Sequence, residues 1–251
     1  SLLEYKITGA VKKLMTVRKP VVLYTTGHQE LSPIQTSDLD AELIKNYDLN
    51  RINLDSVVQI NSDVDVLIVA KPLLPFSEKD NFKIDQYVMN GGKVIFLVES
   101  LLAEMDSVAK YGQVSTINHN HNLDDLLFHY GVKVQPTLVQ DLQCHGIPAI
   151  NQQTNRPGFF PWMFYPLYSA VDDNPVSKNL ENVWGQYSST LDTTTRKALN
   201  HTVLLRSSPK SRVAHNPVLI SLDLLKITPD PANFNKGNQK DPLALFHLTM
   251  H

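Results

Sequence analysis

A histidine and a carboxylate follow the first apolar segment of the chain closely enough to act together as an acid–base pair. They lie in TGHQE (residues 26–30), directly after PVVLYTT (residues 20–26), a run typical of a strand covered on both faces. Gly27 permits a tight turn, and His28 and Glu30 could present an acid and a base at the carboxyl edge of a sheet. Because no nucleophile or third orienting group lies nearby in the sequence, a turn whose polar side chains cap the next segment is the favoured interpretation.

A second loop follows the strongest strand of the chain, VDVLIVA (residues 64–70). This loop, KPLLPF (residues 71–76), is stiffened by prolines, which fix φ and remove backbone donors. Ligands of open α/β sheets usually bind at loops that follow the strands. The candidate strand-end loop site therefore comprises Gly27, His28, Glu30, Lys71 and Pro72.

Nucleotide and covalent chemistry lack their usual motifs. The sequence contains neither GxGxxG nor GxxxxGK[ST], so no nucleotide cofactor is expected. A nucleophile elbow would be expected after KVIFLVE (residues 93–99), where Ser100 is present without the small residues that permit the strained turn. The single cysteine, Cys144, stands beside His145, but catalytic partners usually meet through the fold, so a buried or half-buried thiol is favoured. We therefore expect no catalytic residue.

Two further clusters have both a functional and a structural interpretation. His119 and His121 lie in INHNHN (residues 117–122), but a zinc site needs three or four converging ligands, so exposed loop histidines are favoured and no metal is expected. Residues 145–168 are rich in proline and aromatic residues and are expected to be irregular. If exposed, they would form a partner surface, because aromatic residues dominate binding hot spots. A connection that buries its rings is the favoured interpretation. The candidate partner surface comprises Phe159, Phe160 and Trp162.

Strands that alternate with helices predict βαβ units and a right-handed parallel sheet. Ser77 is expected to cap a helix that ends at Gly91 and Gly92, and KVIFLVE follows as a strand. The predicted fold class is α/β, a Rossmann-like or flavodoxin-like doubly wound, mainly parallel sheet. We expect one domain over 1–251, with a parallel core over about 17–140 and an irregular C-terminal extension over about 141–251 packing on it.

The composition limits the classes of partner. The formal net charge is −2, and no Lys/Arg patch with interleaved aromatic residues is present, so nucleic-acid binding is not expected. No apolar run reaches the length of a membrane span. Both ends of the sequence suggest an excised soluble fragment of a longer protein.

Several segments together resemble the family of auxiliary components of ABC-type transport systems, which includes the gliding-motility protein GldG. KPVVLYTTGHQEL (residues 19–31) is similar to its strand and T/E-G-H-G-E segment, with Gln29 where the family commonly has glycine. DVDVLIVAKPLLPFSEKDNFKIDQYVMNGGKVIFLVE (residues 63–99) resembles its long central signature. LDDLLFHYGVKVQPTLVQD (residues 123–141) and NPVSKNLENV (residues 174–183) resemble later family segments. The resemblance extends from about residue 1 to 215.

This resemblance implies a glutamine-amidotransferase-like domain without the catalytic elbow, on the periplasmic side of the cell inner membrane. It implies ABC permease and ATPase subunits as partners, and membrane attachment only through segments outside this sequence; a homo-oligomer is also possible. The expected function is that of a non-enzymatic auxiliary domain that acts through protein–protein assembly. The alternatives are a hydrolase or amidotransferase-like enzyme that uses His28 and Glu30, and a small-molecule or glycan-binding module that uses the aromatic stretch.

Overall fold

The computed structural model describes residues 7–9, 18–151, 156–171, 174–194, 199–234 and 243–250. These residues form two compact units. The first unit comprises the described residues up to Val98 together with His121–Leu123, and the second comprises those of Glu99–Asn120 and from Asp124 onward.

The first unit is built on a four-stranded parallel sheet. Its elements in chain order are β1 (Val21–Thr26), α1 (Ser37–Leu43), β2 (Asp48–Asn53), a 3₁₀ turn (Leu54–Ser56), β3 (Val64–Ala70), α2 (Glu78–Met89) and β4 (Lys93–Leu97). The strand order is β2-β1-β3-β4, and all three pairings are parallel. The continuous apolar runs around residues 20–26, 64–70 and 93–99 are therefore strands, as the sequence indicates.

One face of this sheet forms a small apolar core. Val22 and Tyr24 of β1 and Ile68 and Ala70 of β3 are buried there, and Tyr24 faces Ile68 across the two strands. Side chains from α1 and its flanking segments pack against them, including Leu31, Leu43 and Tyr47. Buried apolar surface of this kind stabilises a sheet by about 25 cal/mol per Å².

Helix α2 begins and ends where the sequence predicts. The Ser77 Oγ accepts a hydrogen bond from the Asp80 backbone N–H at 3.2 Å, which satisfies one of the free donors of the first turn. After Met89 the chain turns through Gly91, whose φ of +90° is a backbone conformation that side chains disfavour. The helix thus leads directly into β4.

Gly92, the next residue, permits a close approach of the Tyr87 ring. A β-carbon built at Gly92 would lie 2.4 Å from Cζ of Tyr87. The ring is itself held in place, because its hydroxyl donates to the Val64 carbonyl at 3.2 Å and accepts from the Lys93 N–H at 3.3 Å. This position therefore excludes any side chain larger than hydrogen.

We expect Gly92→Ala to lower the free energy of unfolding by about 1–3 kcal/mol, because the added methyl group overpacks against a ring that cannot move freely. Urea denaturation followed by circular dichroism measures the change. In a protein that also carries Tyr87→Leu, Gly92→Ala should lower the free energy of unfolding by clearly less, because the ring that the methyl group would meet is gone. An equal cost in both backgrounds would show that the clash with the ring is not the cause.

The second unit is dominated by antiparallel pairing. Its elements are β5 (Leu101–Leu102), α3 (Met105–Tyr111), β6 (Gln113–Ser115), β7 (Ile117–Asn118), α4 (Asp124–His129), β8 (Val132–Val134), β9 (Thr137–Asp141), β10 (Cys144–Asn151), β11 (Arg156–Ala170), β12 (Val183–Trp184), β13 (Leu191–Thr193), β14 (Leu199–Arg206), β15 (Ser211–His215), β16 (Leu219–Ser221), two 3₁₀ turns (Leu222–Lys226 and Pro231–Phe234) and β17 (Leu243–Met250). The largest sheet has the order β10-β11-β14-β17, with β12 also paired to β11.

The parallel sheet ends at Leu97, whereas the sequence placed the end of the parallel core near residue 140. VKVQPTLVQD supplies β8 and β9 as expected, but β8 pairs antiparallel with β13 and β9 pairs antiparallel with β15. Both partners come from the part of the chain after residue 141. The strand propensity of this segment was visible in the sequence, but its partners were not.

The stretch predicted to be irregular is a long antiparallel pair of strands, β10 and β11, so that prediction is wrong. Pro148 faces Phe159, and Ile150 faces Pro157. The register shifts between Cys144 and Gly146, which is the kind of irregularity that accommodates proline in a strand. β10 is also the edge strand of its sheet, where a missing N–H is least costly.

Aromatic rings of β11 fill the core of the second unit. Trp162, Phe164 and Tyr165 are buried there, and Tyr187 packs against the last two with ring centroids 6.0 and 5.2 Å away. Leu101, Val108, Leu138 and Ile220 complete the cluster from other strands and from α3. The preference for buried rings in this stretch therefore agrees with the packing.

Candidate functional site

His28 lies in the turn after β1 and is almost completely buried, with 5% of its surface exposed. Its ring stacks on Phe76, with ring centroids 3.8 Å apart and an angle of 14° between the planes. Its carbonyl accepts hydrogen bonds from the N–H groups of Leu73 and Leu74, both at 2.9 Å. The turn after β1 and the loop after β3 are therefore joined at this residue.

Both imidazole nitrogens of His28 face a buried carboxylate. Nδ1 lies 3.4 Å from Oε1 of Glu30, and Nε2 lies 3.5 Å from Oδ2 of Asp80. Each of the two carboxylate side chains is only 2% exposed. The other oxygen of Glu30 accepts the backbone N–H of His28 at 2.7 Å. The imidazole is thus held between two acids.

Lys83 completes a row of alternating charges. Its ammonium lies 3.0 Å from Oδ1 of Asp80 and donates to the carbonyl of Leu54 at 2.7 Å. The Ser77 hydroxyl donates to Oδ2 of Asp80 at 2.6 Å. We call Glu30, His28, Asp80 and Lys83 the ion-pair cluster. With His28 protonated, the cluster carries two positive and two negative charges.

The pKa values of His28, Glu30 and Asp80 are shifted toward the charged forms of these side chains. Burial by itself lowers the pKa of His28, but the hydrogen bond and charge of Glu30 and the charge of Asp80 outweigh it, so the net pKa is raised. Burial raises the pKa of both carboxyl groups. At Glu30 this effect is outweighed by hydrogen bonds from His28 and from backbone N–H groups. At Asp80 it is outweighed by the hydrogen bond from Ser77 and by the hydrogen bond and charge of Lys83. Both carboxyl pKa values are therefore lowered.

This arrangement holds two loops together. A general acid or base must come within hydrogen-bond reach of the group it serves. Here both ring nitrogens face carboxylates and one ring face is covered by Phe76. The sequence identified His28 and Glu30 as a pair, but it did not predict that Asp80, Lys83 and Phe76 lie around the imidazole.

The other members of the predicted strand-end site shape the backbone. Gly27 has a φ of +117°, and a β-carbon there would lie 2.9 Å from Oδ1 of Asn53. Gln29 has a φ of +56°, so the chain keeps a conformation that glycine favours although the residue is not glycine. Lys71 has a φ of +51°, its N–H donates to the Leu97 carbonyl at 2.7 Å, and Pro72 is buried beside it.

The candidate nucleophiles lie in the second unit in structural roles. The Ser100 hydroxyl donates to the Gln135 carbonyl and lies 2.9 Å from the Ser189 hydroxyl. Burial raises the pKa of the Cys144 thiol, which keeps the reactive thiolate scarce near neutral pH. The adjacent His145 directs Nδ1 to the Gly146 carbonyl at 2.8 Å. Neither arrangement resembles an activated nucleophile.

His121 is fully buried, contrary to the expectation of an exposed loop residue, and its Nδ1 accepts the Leu123 N–H at 3.1 Å. Among the described residues, no three His, Cys, Asp or Glu side chains are arranged to hold a metal ion.

The predicted partner surface is divided by burial. Trp162 lies in the core with 1% of its surface exposed, so its ring is not available to a partner. Phe159 is 63% exposed, and Phe160 is half-buried. Residues on one strand alternate between the two faces, which explains why neighbouring aromatic residues differ so strongly.

None of the described helices is long and apolar enough to cross a bilayer.

The fold is similar to that of a solved structure, the mmIFT52 N-terminal domain, with a TM-score of 0.52 and 15% sequence identity over 79% of this chain and 77% of that chain. No curated protein matches the sequence. The model of a family described as an ABC-type uncharacterized transport system matches residues 19–246. The chain therefore belongs to this family of auxiliary components of ABC-type transport systems.

Proposed function

We propose that this chain is a non-enzymatic, extracytoplasmic auxiliary domain that acts by assembling with the permease and ATPase subunits of an ABC transporter. Family membership supports a role in a transport system. The ion-pair cluster supports the non-enzymatic part of the proposal, because the most reactive pair in the sequence is buried and used to join two loops.

The finer parts of the proposal rest on the sequence resemblance. They are a link to gliding motility of the GldG type, a position on the periplasmic side of the inner membrane, and a Rossmann-like, amidotransferase-like origin of the first unit. The parallel order β2-β1-β3-β4 is compatible with such an origin. The absence of glycines around Ser100 agrees with a scaffold that lacks a nucleophile elbow.

The exposed part of the aromatic stretch is the proposed contact surface. Phe159 projects from β11 and forms an edge-to-face contact with His145, whose ring stacks on Trp184 at 4.5 Å. Phe159 and Trp184 are both exposed large rings. Aromatic residues that are exposed and held in place by neighbours are the type that anchors protein interfaces.

Co-purification of the full-length protein from native membranes tests the proposal. We expect permease and ATPase subunits to be recovered with the wild type, and Phe159→Ala to reduce their recovery several-fold while leaving the fold intact. We expect the wild type to show no turnover of hydrolase or amidotransferase substrates, so His28→Ala should cause no loss of such an activity. Recovery of no transporter subunit, or an activity lost with His28, would contradict the proposal.

A further inference from the structure

Two loops at the carboxyl edge of the parallel sheet meet at His28. The N–H groups of Leu73 and Leu74 both donate to its carbonyl at 2.9 Å. Its side chain stacks on Phe76 at 3.8 Å. Residues 71–76, which we call the β3 loop, are therefore attached to the turn at residues 27–30 by contacts with both the backbone and the ring of His28.

The charged groups that face His28 come from two elements. Glu30 approaches Nδ1 from the same turn, and Asp80 approaches Nε2 from α2, with Lys83 on the far side of Asp80. On the other side of the β3 loop, the carbonyl of His121 accepts the Phe76 N–H at 3.0 Å. The Nδ1 of His121 accepts the Leu123 N–H at 3.1 Å.

Loss of one proton from His28 unbalances the charges. The protonated cluster is neutral, since Glu30 and Asp80 are matched by His28 and Lys83. After deprotonation, Asp80 keeps Lys83, whereas Glu30 keeps the backbone N–H of His28 but loses the positive charge beside it, although its side chain is 2% exposed. A buried carboxylate that loses its opposite charge is destabilised. Exposure of Glu30 to water is the direct way to relieve it.

The backbone at both joined loops is also strained. Gln29 and Lys71 have φ values of +56° and +51°, a region that residues other than glycine seldom occupy. Such conformations persist only where the surrounding contacts hold them. Release of the contacts at His28 would remove part of what holds Gln29 in this conformation, whereas the N–H of Lys71 stays bonded to the Leu97 carbonyl.

We propose that His28 is a proton-controlled clamp, which holds the β3 loop on the turn at residues 27–30 while it is protonated and releases the loop when it loses its proton. The released loop lies at the carboxyl edge of the parallel sheet, where open α/β sheets bind ligands. Proton uptake and loop closure are therefore linked in this protein.

The direction of the effect follows from the shifted pKa. Burial lowers the pKa of His28, but Glu30 and Asp80 outweigh burial and raise it above its usual value near 6.5. A group with a raised folded-state pKa stabilises the closed form fully below its unfolded pKa. This contribution is lost as the pH rises through the folded pKa. The clamp is therefore closed in mildly acidic solution and opens on the alkaline side.

Amide hydrogen exchange on the 251-residue chain tests the clamp. We expect the protection factors of Leu73 and Leu74 to fall by about tenfold or more between about pH 6 and pH 9, as the loop opens locally. The amides of Leu67 and Ile68 in β3 should keep their protection over the same range. NMR titration of the His28 ring should give the same midpoint as the loss of protection.

Two variants separate the clamp from a purely structural contact. His28→Asn should give low protection of the loop amides at every pH, and Glu30→Gln should move the midpoint of opening to lower pH. If His28→Asn does not fold, the wild type and Glu30→Gln decide. Protection that does not change with pH, a midpoint that Glu30→Gln leaves in place, or a parallel loss in β3 would overturn the proposal.

Discussion

Replacement of Trp162 by alanine should lower the free energy of unfolding by about 3–5 kcal/mol, the usual range for removing a large buried ring. Trp162 is 1% exposed and its ring centroid lies 5.5 Å from that of Phe164. Its removal leaves a cavity in the core of the second unit, where Ile147 and Ile220 are also buried. Chemical denaturation followed by far-ultraviolet circular dichroism measures the loss.

Phe159→Ala is the matched control for this prediction, because it removes a ring from the same strand at a position that is 63% exposed. Its effect on stability should stay near about 0.5 kcal/mol, as for most surface substitutions. If the two variants lost equal stability, Trp162 would not have the core role described above. If Trp162→Ala instead kept the stability of the wild type but no longer co-purified with transporter subunits, the ring would belong to a partner surface.

Local sequence patterns were sufficient to locate the strands β1, β3 and β4 and the helix α2 of the first unit. The continuous apolar run at residues 64–70 is β3, and Ser77 caps α2 as its position before Glu78 and Asp80 indicated. These features depend on residues close together in the chain. Their physical causes, burial of a continuous apolar run and satisfaction of free N–H groups, are therefore visible in the sequence alone.

The pairings of the second unit could not be predicted in the same way. β11 contains Pro157, Pro161 and Pro166, and proline clusters indicate irregular loops because they remove ladder donors. The strand forms because a register shift and an edge partner accommodate them. Both depend on a hairpin partner and on the order of strands, which local composition does not specify.

The candidate site shows the same division. The sequence brought His28 and Glu30 together, since they are two residues apart. It could not show that Asp80, at the start of a helix after β3, approaches the opposite nitrogen of the ring. That contact depends on β1 and β3 being neighbours in the sheet. The neighbouring strands therefore change the interpretation of His28 from a candidate catalyst to the centre of a buried ion-pair cluster.

Asp80→Asn should destabilise the first unit by about 3–5 kcal/mol, the usual range for removing one member of a buried ion pair. The amide keeps the shape of the side chain and can still accept from Ser77. However, it leaves Lys83, at 3.0 Å, and the Nε2 of His28, at 3.5 Å, without a carboxylate. Chemical denaturation at several pH values measures the effect.

The difference between wild type and Asp80→Asn should itself depend on pH. The pKa of Asp80 is lowered in the folded state, so its contribution is present above its unfolded pKa near 3.9 and is lost as the pH falls through the folded pKa. The contribution of His28 is also stabilising, but it has the opposite pH dependence and is lost as the pH rises through its raised pKa. The difference should therefore be largest between about pH 5 and pH 6.5.

Glu42→Gln is the control for charge loss alone, because Glu42 forms an exposed ion pair with Lys45 and should change stability by less than about 1 kcal/mol. Equal losses for Asp80→Asn and Glu42→Gln would mean that water enters the cluster and screens it. A loss for Asp80→Asn that is large but independent of pH would mean that the hydrogen bonds of the helix cap, rather than the charges around His28, hold the two loops together.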